Sequence, residues 1–171
     1  KGLLKTALRC DDPVLFLEHK GVLTLRGPVP DGEHLVPFGQ AAVRRQGKDL
    51  TIFAIAFMVH RALEAAEILA QEGIEAEVID PRTLAPLDIE TVLASVHKTG
   101  RLLVVDEDFA PCGMAAEVAV QVMERGFDDL DAPVRRLTGL PVPAPYSPAL
   151  FEPVTPGAMA IARAARELLA E

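Results

Sequence analysis

From residue 41 onward, short aliphatic runs alternate with segments whose apolar residues recur every three to four positions. That alternation demands a mostly parallel sheet wrapped by helices, because strands rich in Val, Ile and Leu must be covered on both faces. Ala41 to Gln46 and Leu50 to Phe57 flank Gly47-Lys48-Asp49, which reads as an antiparallel hairpin. Residues 58 to 72 form an amphipathic helix with Val59, Ala62, Leu63, Ala66, Leu69 and Ala70 inward and Gly73 as its C-terminal cap. Ile74 to Asp80 is the next strand. Asp88 then N-caps a helix that buries Ile89, Val92, Leu93 and Val96 and stops at Gly100.

Leu102 to Val105 is a central strand, 114 to 125 a helix, and Pro133 to Thr138 the last strand. A Pro-rich arm, 141 to 156, leads to a final helix with Thr155 as N-cap and Pro156 in its first turn. The order β-β-α-β-α-β-α-β-α predicts a three-layer α/β/α fold, a mostly parallel five-stranded sheet with one antiparallel edge strand. Before it, residues 1 to 9 read as the end of a helix and 13 to 18 as a short buried strand. Residues 19 to 40, broken by Gly27-Pro28-Val29-Pro30, Asp31-Gly32, Pro37 and Gly39, read as a linker. One helix and one strand cannot bury their own faces, so 1 to 18 is expected to end another domain, 41 to 171 being a domain of its own. The chain opens on Lys1, in keeping with a start inside a longer protein.

Composition narrows the function. The 25 acidic residues outnumber the 17 basic ones, giving a net charge of −8. Nucleic-acid surfaces need clustered Lys and Arg, so a basic protein partner fits better. The longest apolar run, Leu50 to Val59, is half of what a bilayer requires. Cys10 and Cys112, far apart and outside any Cys/His cluster, point to a reducing compartment. Neither GxGxxG nor GxxxxGK[ST] nor GxSxG occurs, which removes the usual phosphate loops and the hydrolase nucleophile elbow.

The histidines carry little by themselves. His60 and Glu64 lie one helical turn apart without a second His, so a solvated face outweighs a metal site. His97, beside Lys98 at a helix C-terminus, suits the dipole. His19 and His34 flank the linker, and either is placed to reach a cleft shared with a further domain. Asp106-Glu107-Asp108 follows the aliphatic strand at the sheet's carboxyl edge, where open α/β sheets present ligands; capping the next helix or pairing with arginines is the equal alternative. Asp128-Asp129-Leu130-Asp131-Ala132-Pro133 is an acidic loop, either solvated surface or a docking site for an Arg-bearing partner.

Several segments carry a resemblance: Val36-Pro37-Phe38-Gly39, Met58 to Ala66, Glu77-Val78-Ile79-Asp80-Pro81-Arg82-Thr83-Leu84, Pro86-Leu87-Asp88, Lys98-Thr99-Gly100-Arg101, Leu130-Asp131-Ala132-Pro133 and Pro143-Ala144-Pro145-Tyr146. In order and spacing they resemble the β subunit of thiamine-diphosphate-dependent 2-oxo acid dehydrogenases, the pyruvate, branched-chain and acetoin group. The likeness covers the end of the pyrimidine-binding domain (1–18), the linker (19–40) and the transketolase C-terminal domain (41–171).

The resemblance implies an α2β2 enzyme that decarboxylates a 2-oxo acid on thiamine diphosphate with Mg and acylates a lipoyl group. It also implies that no catalytic, cofactor-binding or metal-binding residue of the family falls on these 171 residues, so this stretch alone is expected to be inactive. Its work would be assembly with the α subunit and a second β subunit, and docking to the peripheral subunit-binding domain of the dihydrolipoyl acyltransferase, a small basic module. Asp131 matches the family's docking aspartate, with Asp128, Asp129 and Glu171 beside it. The location implied is bacterial cytoplasm or mitochondrial matrix. Glu18-His19-Lys20 leans toward branched-chain and acetoin members and Leu150-Phe151-Glu152-Pro153 toward branched-chain ones, leaving pyruvate open. Ala56-Phe57 departs from the family, whose members carry a small Gly there. A transketolase or deoxyxylulose-phosphate synthase C-terminal domain is the nearest alternative, opposed by the Lys98–Arg101 and Leu130–Pro133 motifs. A free-standing, non-catalytic binding module is the other.

Overall fold

Two strands with long buried runs, β2 (Leu50–Ala54) and β4 (Leu102–Phe109), lie side by side in the middle of the sheet. The computed structural model describes all 171 residues. Its remaining strands are β1 (Ala42–Arg45), β3 (Ala76–Asp80) and β5 (Arg135–Gly139), in the order β1-β3-β2-β4-β5. All neighbours are parallel except β1, which runs antiparallel to β3 at one edge. Side chains alternate between faces with the pleat. Leu50, Ile52, Ala54, Leu103 and Val105 meet α2 (Met58–Ala70) and α6 (Ala158–Leu169) on one side. Phe53, Ile79, Leu102 and Val104 meet α3 (Ile89–Thr99) and α4 (Met114–Arg125) on the other. The expected three layers and single antiparallel edge are therefore present.

Three expectations are corrected. The hairpin does not form: β1 pairs with β3, register Ala42 opposite Asp80, and β3 lies between β1 and β2. The Gly47-Lys48-Asp49 turn is instead stitched to the start of β3, Lys48 and Asp49 N–H both donating to the Glu75 carbonyl at 2.9 and 3.1 Å. Gly47 is required by that approach, since a Cβ there would overlap the backbone of Ala76 and Glu77. Residues 13 to 18 are not a buried strand but exposed, irregular chain, with Leu15 86% and Leu17 76% accessible. No backbone hydrogen bond reaches them, and an unpaired strand has nothing in the fold to satisfy its N–H and C=O groups. Finally, α6 is N-capped by Gly157, not Thr155. The Thr155 hydroxyl donates back to the Phe151 carbonyl at 3.1 Å, closing the short helix α5 (Pro148–Phe151) and its 3-10 extension.

The N-terminal helix α1 (Gly2–Leu8) is held through residues 33 to 36: Thr6 Oγ1 donates to the Val36 carbonyl at 2.7 Å and Lys5 pairs with Glu33 at 3.3 Å. Asp88 caps α3 as expected, accepting from Thr91 N–H at 3.1 Å, and also from Ala41 N–H at 2.8 Å. No helix is long and apolar enough to cross a membrane.

Candidate functional site

The connection after β2 turns toward β3 and the connection after β4 turns toward β5, so the carboxyl ends of β2 and β4 flank the sheet's topological switch point, where open α/β sheets take ligands. Here the chain fills that place itself. The ring of His19, from the segment between α1 and β1, stacks on Phe57 at 5.4 Å between centroids and 5° between planes. His19 Nδ1 accepts from Gly21 N–H at 3.0 Å, so in the neutral ring Nε2 carries the proton and donates to Glu107 Oε1 at 2.7 Å. Arg61 lies 5.4 Å above the Phe57 ring and pairs with Glu152 at 2.6 Å. Beside this lies an apolar cavity of about 390 Å³ lined by Phe109, Leu140, Val142, Phe151 and Val154.

The Asp106-Glu107-Asp108 trio therefore neither caps α4 nor pairs with arginine. β4 continues through it to Phe109, longer than the aliphatic run alone indicates. Asp106 accepts from Asp108 N–H at 3.2 Å, and Asp108 from Phe109 N–H at 2.8 Å. Burial raises the Asp106 pKa, with the Asp108 charge adding to it. Burial raises Glu107 as well, against the opposing pull of His19. Ala56 explains why a small residue suits the β2–α2 turn: its φ of 51° is left-handed, a conformation that costs a side-chain-bearing residue about 1–2 kcal/mol.

At the opposite end, below the amino ends of β2 and β4, lies a polar depression of about 760 Å³ that gathers the acidic loop. Lys48 and Asp49, His97 to Arg101, Asp128, Asp129, Asp131 and Leu169 line it. Asp129 and Asp131 already have cations of their own. Asp129 Oδ1 bonds His97 Nδ1 at 2.7 Å, raising the imidazole pKa through that hydrogen bond and the carboxylate charge. Asp131 Oδ2 lies 3.4 Å from Arg101, with 66% of its side chain exposed. Asp128 is exposed at the rim. Glu171 is adjacent but outside the depression, 3.8 Å from Arg135 at the start of β5.

The Lys98-Thr99-Gly100-Arg101 run builds this ledge. Gly100, at φ 68°, ends α3 and receives the Asp131 N–H on its carbonyl at 2.8 Å; a Cβ there would overlap the Asp131 carboxylate. Beneath it runs a buried polar network that sequence reasoning missed. Lys98 Nζ donates to buried Glu77, which also accepts from Ser95 Oγ at 2.5 Å and Gly47 N–H at 3.3 Å. Thr51 Oγ1 joins Ser95 at 2.6 Å and Thr99 at 2.8 Å. The available signal was a Thr and a Glu inside otherwise aliphatic strands, since buried polar groups need partners. His60 stays half-buried against Phe57 at the edge of the switch-point crevice, whereas His34 lies near Gly2, away from both ends described.

The chain is 49% identical over 169 residues to the acetoin:2,6-dichlorophenolindophenol oxidoreductase subunit beta of Cupriavidus necator, covering 99% of this chain and 50% of that protein. It is 47% identical to the mitochondrial pyruvate dehydrogenase E1 component subunit beta of Dictyostelium discoideum, covering 86% and 42%. To the 2-oxoisovalerate dehydrogenase subunit beta of Bacillus subtilis it is 46% identical, covering 88% and 46%. It thus spans about half the length of the curated relatives it matches. Among solved structures, a split gene transketolase in an inactive beta4 tetramer superimposes with a TM-score of 0.72 at 31% identity, covering 80% of this chain and 44% of that one. Residues 39–161 match the family described as transketolase, C-terminal domain. With that match spanning the whole five-stranded sheet, three of the helices that cover it and the start of the fourth, the chain belongs to the transketolase C-terminal domain family.

Proposed function

We propose that this chain is the carboxyl-terminal part of the β subunit of a thiamine-diphosphate-dependent 2-oxo acid or acetoin dehydrogenase, and that its own work is subunit assembly and docking to the acyltransferase core. The observation that carries the docking role is the ledge at the amino edge of the sheet, where Asp128, Asp129 and Asp131 share one surface. Identities of 43–49% to β subunits of this group, against 31% to the split transketolase, support the parent enzyme over the transketolase alternative. In this reading 1–18 closes the pyrimidine-binding domain, 19–40 is the linker and 41–171 the C-terminal domain. The start of the family match at residue 39 and of β1 at Ala42 support the last boundary.

The residues present do not fit thiamine diphosphate and its Mg²⁺. The ledge would set aspartates against a diphosphate, the switch-point crevice is filled by His19, and no three His, Cys, Asp or Glu side chains lie close enough to hold a metal ion. Decarboxylation is therefore assigned to the remainder of the holoenzyme, in bacterial cytoplasm or mitochondrial matrix. The partners are an α subunit, a second β subunit and the basic peripheral subunit-binding domain of the acyltransferase.

The test uses the full-length β chain assembled with its α partner. Calorimetric titration with the subunit-binding domain should show tight binding that Asp131→Ala weakens by about 2–5 kcal/mol, as for a desolvated charge pair. Unchanged affinity would remove Asp131 from the interface. Single-turnover assays with pyruvate, branched-chain 2-oxo acids and acetoin identify the substrate, and inactivity with all of them defeats the enzyme reading.

A further inference from the structure

A docking surface for a basic module ought to offer free carboxylates, yet this one has a cation of its own within hydrogen-bond reach of Asp129. His97 Nδ1 lies 2.7 Å from Asp129 Oδ1, at the end of α3, with 77% of the imidazole exposed. The other charges on the ledge are Lys98 and Arg101 from the α3–β4 junction, Lys48 and Asp49 from the β1–β2 turn, and Asp128 and Asp131 from the loop before β5. α6 contributes only Leu169. Lys98 is committed to buried Glu77, Arg101 faces Asp131, and Asp49 accepts from Glu75 N–H at 2.6 Å. Of these groups only an imidazole ordinarily changes charge between pH 6 and 8.

Resting on the docking role above, we propose that His97 competes with the partner for Asp129, so that engagement of a cationic module at the ledge is coupled to loss of a proton from the His97 ring. The balance is simple. In the free ledge the imidazolium N–H donates to Asp129. An incoming guanidinium or ammonium takes that carboxylate and repels the neighbouring positive ring, the N–H bond breaks, and the proton leaves to solvent.

The direction of the coupling follows. The Asp129 hydrogen bond and charge raise the His97 pKa, so the competitor holds its charge to higher pH than a free imidazole does. Binding is therefore weaker below the His97 pKa and strengthens as pH rises through it. Linkage to one proton per ledge limits the gain to about tenfold per pH unit. The imidazole is largely exposed and the carboxylate partly so, which makes the effect a tuning of affinity, not an on–off switch.

The experiment is calorimetric titration of the intact αβ assembly with the acyltransferase's subunit-binding domain from pH 6 to 8, in buffers of differing ionisation enthalpy to count protons released. Wild-type affinity should rise about fivefold or more over that range, with net proton release. His97→Gln should be flat and tight, and His97→Arg flat and weak, because a permanent cation keeps hold of Asp129. Thermal melts confirm that both variants fold. If His97→Gln keeps the wild-type slope and proton count, the inference is overturned while docking stands. If the wild type fails to bind at any pH, the docking role itself falls, and this inference with it.

Discussion

Asp106 is the side chain at which burial and charge conflict most openly. It is only 5% exposed and sits next to two further carboxylates on β4. Its raised pKa, due first to burial and then to Asp108, means that the folded protein holds the proton more tightly than the unfolded chain does. The associated stability is complete below the ordinary carboxylate pKa and is lost as pH rises through the raised value. Asp106→Asn keeps the side-chain oxygen that accepts from Asp108 N–H and removes the charge. Its melting temperature should match wild type near pH 4 and exceed it by about 2–4 °C at pH 7, the effect of ~1 kcal/mol in a domain of this size. Parallel melting curves across that range would show that Asp106 carries no such penalty. The trio's acidity was legible from sequence. That a histidine 88 positions away in the chain answers Glu107 was not, because side-chain spacing says nothing about which distant segment folds across a sheet edge.

At the scale of elements, helices were the most legible units and strand partners the least. The apolar stripes of α2, α3, α4 and α6 fall largely where the 3.6-residue period puts them, with Ala65 added to the buried face of α2 and Leu63, Ala70 and, in α3, Leu93 left at the margins. β1 was legible as an antiparallel edge but assigned to the wrong neighbour, since a turn of three residues specifies a reversal and not the strand that accepts it. Asp88 shows how one cap joins two elements. Although burial opposes it, hydrogen bonds from Thr91 and Ala41 hold its carboxyl below the ordinary range, so this contribution is present at neutral pH and lost as pH falls through the lowered pKa. Asp88→Ala should cost about 2 kcal/mol at neutral pH, the upper end for an N-cap, because the loop before β1 is released with the helix. Chemical denaturation measures it, and a loss below about 0.5 kcal/mol would mean that the Ala41 contact contributes nothing.

The whole molecule carries a net charge of −8 and faces a basic partner in the proposed assembly. Long-range attraction between exposed charges acts mainly on encounter, and the screening length falls from about 10 Å at 0.1 M salt to about 3 Å at 1 M. Stopped-flow association of the intact assembly with the subunit-binding domain should therefore slow by about tenfold or more between 0.05 and 0.5 M NaCl. The penalty for Asp131→Ala should persist at the higher salt, as a close contact is screened little. An association rate indifferent to salt would argue against the acidic ledge as the landing surface.

The linear order of residues settled the fold class, the helical faces, the antiparallel edge and the position of the acidic loop. All of these follow from local periodicity, turn chemistry and charge, which neighbouring residues carry among themselves. Tertiary structure alone decided that β3 separates β1 from β2, that His19 fills the switch-point crevice, that Glu77 and Thr51 brace the ledge from below, and that Asp129 meets a histidine. Each of these joins residues at least 18 positions apart. Such pairings are chosen by how whole layers pack, because a buried polar or charged group takes whichever partner the completed fold brings within reach.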